Sequence, residues 1–130
     1  YGVDFERTLA LAYSLGLHVN VLPKVPHEKL NQYYWNADVV IDRFTLGSLG
    51  VVSLEAIACG RPAIACVSSE YPEYNSFPLK DITAEDDIAK IIKAADDDLW
   101  EREYAYFRAR HAVNVVLERL MKIYDSLRSG

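Results

Sequence analysis

Apolar positions recur along the chain at two different spacings. Phe5, Leu9, Ala12 and Leu15, with Thr8 among them, share one face at helical period, and Gly16 is placed to close the helix, so a helix is predicted over 4–15. Leu17, Val19 and Val21 then alternate with His18 and Asn20. That period of two predicts a half-buried strand over 17–22, ended by Pro23. Pro26 suits the first turn of a second helix with Leu30, Tyr33, Tyr34 and Ala37 on its inner face. Val39, Val40 and Ile41 form a continuous apolar run, as expected of a parallel strand covered on both sides.

A loop holding Gly47 and Gly50 leads into a helix predicted over 51–59, closed by Gly60 and barred from continuing by Pro62. The run Ala63-Ile64-Ala65-Cys66-Val67 predicts a further buried strand, and 68–80 reads as a loop rich in Ser, Tyr, Pro and Asn. Thr83 is placed to cap a helix over 83–95, with Asp86 as the capping-box acid. Helices are expected over 99–110 and 111–127. In the last, Val113, Val116, Leu117, Leu120, Tyr124 and Leu127 make one long apolar stripe. The alternation αβαβαβ followed by helices predicts an α/β fold: a Rossmann-like parallel sheet flanked by helices, with right-handed crossovers, as one unit over 1–130.

Composition narrows the functions open to such a fold. The chain of 130 residues is long enough to bury one core. Fourteen Lys and Arg against nineteen Asp and Glu give a net charge of −5. Nucleic acids and anionic membranes both demand a basic surface, so neither is an expected partner. No apolar run approaches the roughly 20 residues of a membrane helix, and no secretory signal pattern is present. Cys59 and Cys66 are too few and too far apart for a metal site, and suit buried, reduced thiols in a cytosolic protein. A cytoplasmic protein without a metal is therefore expected, with peripheral membrane attachment of a longer protein left open.

Ligands of open parallel sheets bind beyond the carboxyl ends of the strands, here 23–26, 42–50 and 68–78. In the second segment, Gly47 and Gly50 let the backbone approach a ligand closely. The helix after Gly50 begins with unpaired N–H groups and the positive end of its dipole, a seat for phosphate to which Ser48 adds a hydroxyl. Glu55 lies about a turn further in, amid Val51, Val52, Leu54, Ala56, Ile57 and Ala58. A carboxylate there can accept hydrogen bonds from two sugar hydroxyls, or it can pair with Arg43 or Arg61. The glycines can equally be turn chemistry. His18 and His27 are expected to face solvent, His111 to cap or decorate the last helix, and Asp96-Asp97-Asp98 to sit at a helix N-terminus. Tyr71 and Tyr74 suit either a cleft lining or half-buried loop packing, and no nucleophile triad is assembled.

The stretch Tyr34-Trp35-Asn36-Ala37-Asp38-Val39-Val40-Ile41, followed by Gly50-Val51-Val52-Ser53-Leu54-Glu55-Ala56-Ile57-Ala58-Cys59-Gly60-Arg61-Pro62-Ala63-Ile64-Ala65, resembles the carboxyl-terminal domain of group 1 glycosyltransferases with the two-Rossmann (GT-B) architecture. The resemblance implies transfer of a sugar from a nucleoside diphosphate, of UDP or GDP type, with no further cofactor. It assigns Glu55 to the ribose, the turn at Gly50 and Val51 to the phosphates, and the loop of Pro23, Lys24 and Val25 to the base. The family's first motif glutamate, directed at the donor sugar, falls on Gly47, so that acid is missing. Similar sequences with Gly at this place carry an acid near the strand end, as Asp42 does here. Asp42 then either substitutes for the lost carboxylate or is a loop acid or cap, with sugar recognition altered or transfer lost.

In that architecture the acceptor side of the cleft belongs to an amino-terminal domain, and two further strands precede the segment beginning at Tyr1. The expectation is a partial donor-binding domain, inactive without its amino-terminal partner, whose open sheet edges invite self-association. Two alternatives share the fold: a sugar-nucleotide epimerase, and a non-catalytic nucleotide-binding or interaction domain.

Overall fold

The computed structural model describes residues 4–83, 88–94 and 97–128. Its sheet, among these residues, is two parallel strands, β1 (Val40–Ile41) and β2 (Ala63–Ile64), in register Val40 with Ala63 and Ile41 with Ile64. The ladder runs a little beyond them. Val40 N–H donates to Pro62 O at 3.0 Å, Asp42 N–H to Ile64 O at 2.9 Å and Cys66 N–H to Arg43 O at 3.2 Å. The crossover between the strands contains α3 (Val51–Ala58). Before β1 lie α1 (Phe5–Ser14), a 3₁₀ turn at His27–Lys29 and α2 (Leu30–Trp35). After β2 come a 3₁₀ turn at Pro72–Tyr74, α4 (Ile88–Ala94), α5 (Asp97–His111) and α6 (Val113–Arg128). This is an α/β chain with a small parallel sheet and many helices, in agreement with the predicted Rossmann-like class.

The predicted helix ends at Gly16 and Gly60 are built as expected. Both glycines have positive φ, +71° and +85°. Gly60 N–H donates to Ile57 O at 3.1 Å and Arg61 N–H to Ala56 O at 2.9 Å, and the pairs Gly16–Tyr13 and Leu17–Ala12 repeat that pattern on α1. Each helix thus closes in a Schellman motif that satisfies two of its last carbonyls. The capping box at Thr83 and Asp86 involves residues outside those described.

The core lies where α3, β2 and α5 meet. Ala56, Ile57, Ala63, Ala65, Val67, Phe77 and Tyr106 are buried together. Small residues at 56, 63 and 65 bring helix and strand close, and larger groups on α5 lock them by hydrogen bonds. Trp100 Nε1 donates to Ile57 O at 3.0 Å, and Tyr106 Oη to Glu73 O at 3.0 Å. The indole N–H and the phenol are thereby paired rather than stranded.

Three expectations are corrected. Residues 17–22 are not a strand. A strand exists through its ladder, and no neighbouring strand is present for this segment among the described residues. Val19 and Val21 instead share a shallow apolar groove with Phe5, Thr8, Leu9 and Ala12 of α1. The β1 run is not covered on both faces, because a two-stranded sheet leaves Ile41 49% exposed. The stripe on α6 is also open, with Val113 and Leu127 about three-quarters exposed. Its period made the helix without supplying a surface to bury it against.

Candidate functional site

The end of β1 and the start of α3 are joined through one carboxylate. Asp42 Oδ2 accepts from Ser53 Oγ at 2.7 Å and from Ser53 N–H at 3.3 Å. Gly50 is the N-cap residue, extended at φ −81° and ψ 168°, with no side chain of its own to cap the helix. Asp42 therefore caps from a distance, satisfying an amide in the first turn. Burial works against its charge, yet the hydrogen bonds from Ser53, the Arg43 amide and the Arg43 guanidinium together hold its carboxyl below the ordinary value. Among the described residues, the amides of Val51 and Val52 have no acceptor. The predicted anion seat is thus part filled by the chain's own acid and part open.

One turn further along α3 stands Glu55. Its Oε1 lies 2.7 Å from His27 Nε2, and its Oε2 accepts from Tyr34 Oη at 2.8 Å. These partners come from the two short turns before β1, so neither Arg43 nor Arg61 is the pair; Arg61 Nη2 donates to Trp35 O instead. Hydrogen bonds from His27 and Tyr34 lower the Glu55 carboxyl and keep it ionised. The same carboxylate, together with burial as the larger cause, pushes the Tyr34 phenol up to about 12. Glu55 keeps 24% of its side chain exposed. It lines a groove of about 180 Å³ with His27, Leu30, Asn31, Tyr34 and Cys59.

The other predicted positions fall around this pair. Lys24 is exposed and Val25 half-buried, in the irregular stretch that runs directly into His27. Ser48 is half-buried in the bend before Gly50. Gly47 adopts φ +65°, and a side chain there would meet Ser68 Cβ at 3.1 Å and the Tyr71 ring at 3.3 Å. Ser68 N–H also donates to Gly47 O at 2.9 Å, tying the second loop to the third. The position of the missing acid is therefore occupied by loop packing. No group of three or more His, Cys, Asp or Glu is placed to hold a metal among the described residues.

Several residues behave otherwise than their spacing suggests. His27 is 80% exposed, as expected, yet it reaches an acid 28 positions away in sequence. His111 ends α5 rather than starting the last helix. It packs on Tyr106 and Phe107, and burial lowers its pKa. Glu103 is a core acid that the sequence pattern does not single out. It is fully buried on α5, with Oε2 accepting the Ala63 N–H at 2.9 Å and Oε1 without a partner. The signal was present in its spacing: Leu99, Glu103 and Tyr106 share one helical face, and the two flanking residues are core.

The family described as glycosyl transferases group 1 matches residues 2–99, a stretch that contains both carboxylates and both loops. The chain belongs to the group 1 glycosyltransferases. No curated protein and no solved structure gives a match. The family match spans α1 to the first residues of α5, so the paired strands and the Glu55 groove lie inside the group 1 glycosyltransferase domain. No helix among the described residues is long and apolar enough to cross a membrane.

Proposed function

We propose that this group 1 glycosyltransferase domain binds the donor, a nucleoside diphosphate sugar of UDP or GDP type, in the groove beside α3. The observation that carries the reading is Glu55: an ionised carboxylate, partly exposed, one turn inside a helix whose first two amides lack acceptors. Glu55 accepts the ribose hydroxyls, and the Val51 and Val52 amides with the helix dipole take the diphosphate. Ser48 adds a hydroxyl donor, and Lys24 and Val25 border the base. Gly47 and Gly50 keep that approach free of side chains. Asp42 lies beside the phosphate seat, and it stands in for the lost sugar-directed carboxylate through the lone pairs Ser53 leaves free. Binding without turnover is expected of these 130 residues, since positioning an acceptor and stabilising the leaving group need both walls of a cleft.

Calorimetric titration with UDP and GDP tests the reading. Glu55→Ala should weaken binding about tenfold, the scale of a hydrogen bond to a charged group. Equal affinity for wild type and variant removes Glu55 from the site.

A second reading, a non-catalytic domain that retains the fold, is favoured by the Gly47 clasp. There loop packing fills the place of the acid, and Asp42 is already spent on the helix cap. Absence of any nucleotide-dependent rise in Tm would select it.

A further inference from the structure

Glu55 is held rather than free. An ionised carboxylate offers about four acceptor sites over its two oxygens. His27 takes one on Oε1 and Tyr34 one on Oε2. Each oxygen therefore keeps an acceptor site, and the two oxygens are fixed with respect to each other by donors from two different turns, His27 from the 3₁₀ turn and Tyr34 from α2. The carboxylate rim is solvent-accessible and the groove beside it is open, lined by Leu30, Asn31 and Ala58 as well. Two acceptor sites on adjacent, immobilised oxygens match the two donors of a vicinal diol.

We propose that His27 is a positioning residue that, with Tyr34, aims the Glu55 carboxylate so that its two remaining acceptor sites read both hydroxyls of a ribose. The inference rests on the donor-binding reading above and adds the residue that sets its selectivity for ribose over deoxyribose. His27 touches no ligand in this arrangement. It acts through Glu55, by removing the rotamer freedom that an exposed glutamate otherwise loses only on binding.

The test is the affinity of the chain for UDP against 2′-deoxy-UDP, and GDP against 2′-deoxy-GDP, in wild type, His27→Ala, His27→Gln and Glu55→Gln. Wild type should favour the ribonucleotide by about tenfold or more, the scale of one hydrogen bond to a charged group. His27→Ala should bring that ratio close to one with little change in Tm, because the imidazole is mostly exposed. His27→Gln, which keeps an N–H donor, should restore much of the ratio. A merely structural role would lower both affinities together and leave the ratio alone. An unchanged ratio in His27→Ala, or tighter binding by it, overturns the proposal. Loss of the ratio in Glu55→Gln with retention in His27→Ala defeats the His27 assignment while the donor reading stands. No binding of any of the four nucleotides by wild type or variants takes both down.

Discussion

A methyl group at position 50 has nowhere to go. Gly50 has a backbone conformation open to any residue, but a Cβ there would collide with the Asp42 carboxylate and lie 3.0 Å from Arg43 Nη2. Gly50→Ala should therefore cost about 1–3 kcal/mol by displacing Asp42 from α3. Chemical denaturation checks this, and the cost should shrink in an Asp42→Ala background because the obstacle is then gone. Gly47 is the opposite case. Its φ of +65° and the nearness of Ser68 and Tyr71 both oppose a side chain. Gly47→Glu, the change that would restore the family's first acid, should lose about 1–2 kcal/mol of stability. It should also leave nucleotide affinity no better in titration. A gain in affinity would show that the third loop yields readily and that the missing acid is a simple deletion.

At the scale of the element, α3 begins with a cap borrowed from another segment. Replacing Asp42 with Ala leaves the Ser53 amide without its acceptor and should cost about 1–2 kcal/mol. Hydrogen exchange at the Ser53 amide should rise selectively. Because the Asp42 carboxyl is lowered by folding, its contribution is present above the ordinary carboxyl range and is lost as pH falls through its folded value. The parts of α3 legible in sequence were those fixed by local chemistry: Gly60 as its end, Pro62 beyond it, and Glu55 as the odd charge in an apolar helix. Its cap was left open between two roles, because a residue nine positions upstream becomes a cap only after β1 is placed. His27 was legible as exposed but not as a partner, since its link to Glu55 depends on the turn after Pro26. The strand expected over 17–22 failed for a related reason. Alternation describes a surface suited to a sheet, and whether a neighbouring strand exists is not a local property. The α6 stripe likewise specified a helix and left open what covers it.

Over the whole molecule, the balance of buried and exposed groups makes stability depend on pH through Glu103. This residue is fully buried between α5 and β2, and burial is the main cause that pushes its carboxyl from 4.5 to about 8, opposed by the Ala63 N–H and Arg102. A folded pKa above the unfolded one means the folded chain holds the proton more tightly. The contribution is complete below the unfolded value and is lost as pH rises toward about 8. His111 works against this at lower pH. Burial lowers it from 6.5, so stability that depends on its neutral form is lost as pH falls below that value. Asp42, Glu55 and Asp81, all lowered, act only nearer the ordinary carboxyl range. As pH rises above 6.5 the opposing His111 contribution fades, and toward about 8 Glu103 comes to dominate among these groups. There the unfolding free energy should fall with a slope approaching about 1.4 kcal/mol per pH unit. Glu103→Gln keeps an oxygen to accept the Ala63 N–H but cannot ionise, so its stability should lack that fall toward pH 8. Urea denaturation of both proteins at several pH values decides the matter: parallel curves would mean that Glu103 ionises in the folded chain as freely as in the unfolded one, and that the carboxylate at the base of β2 is better solvated than its complete burial implies.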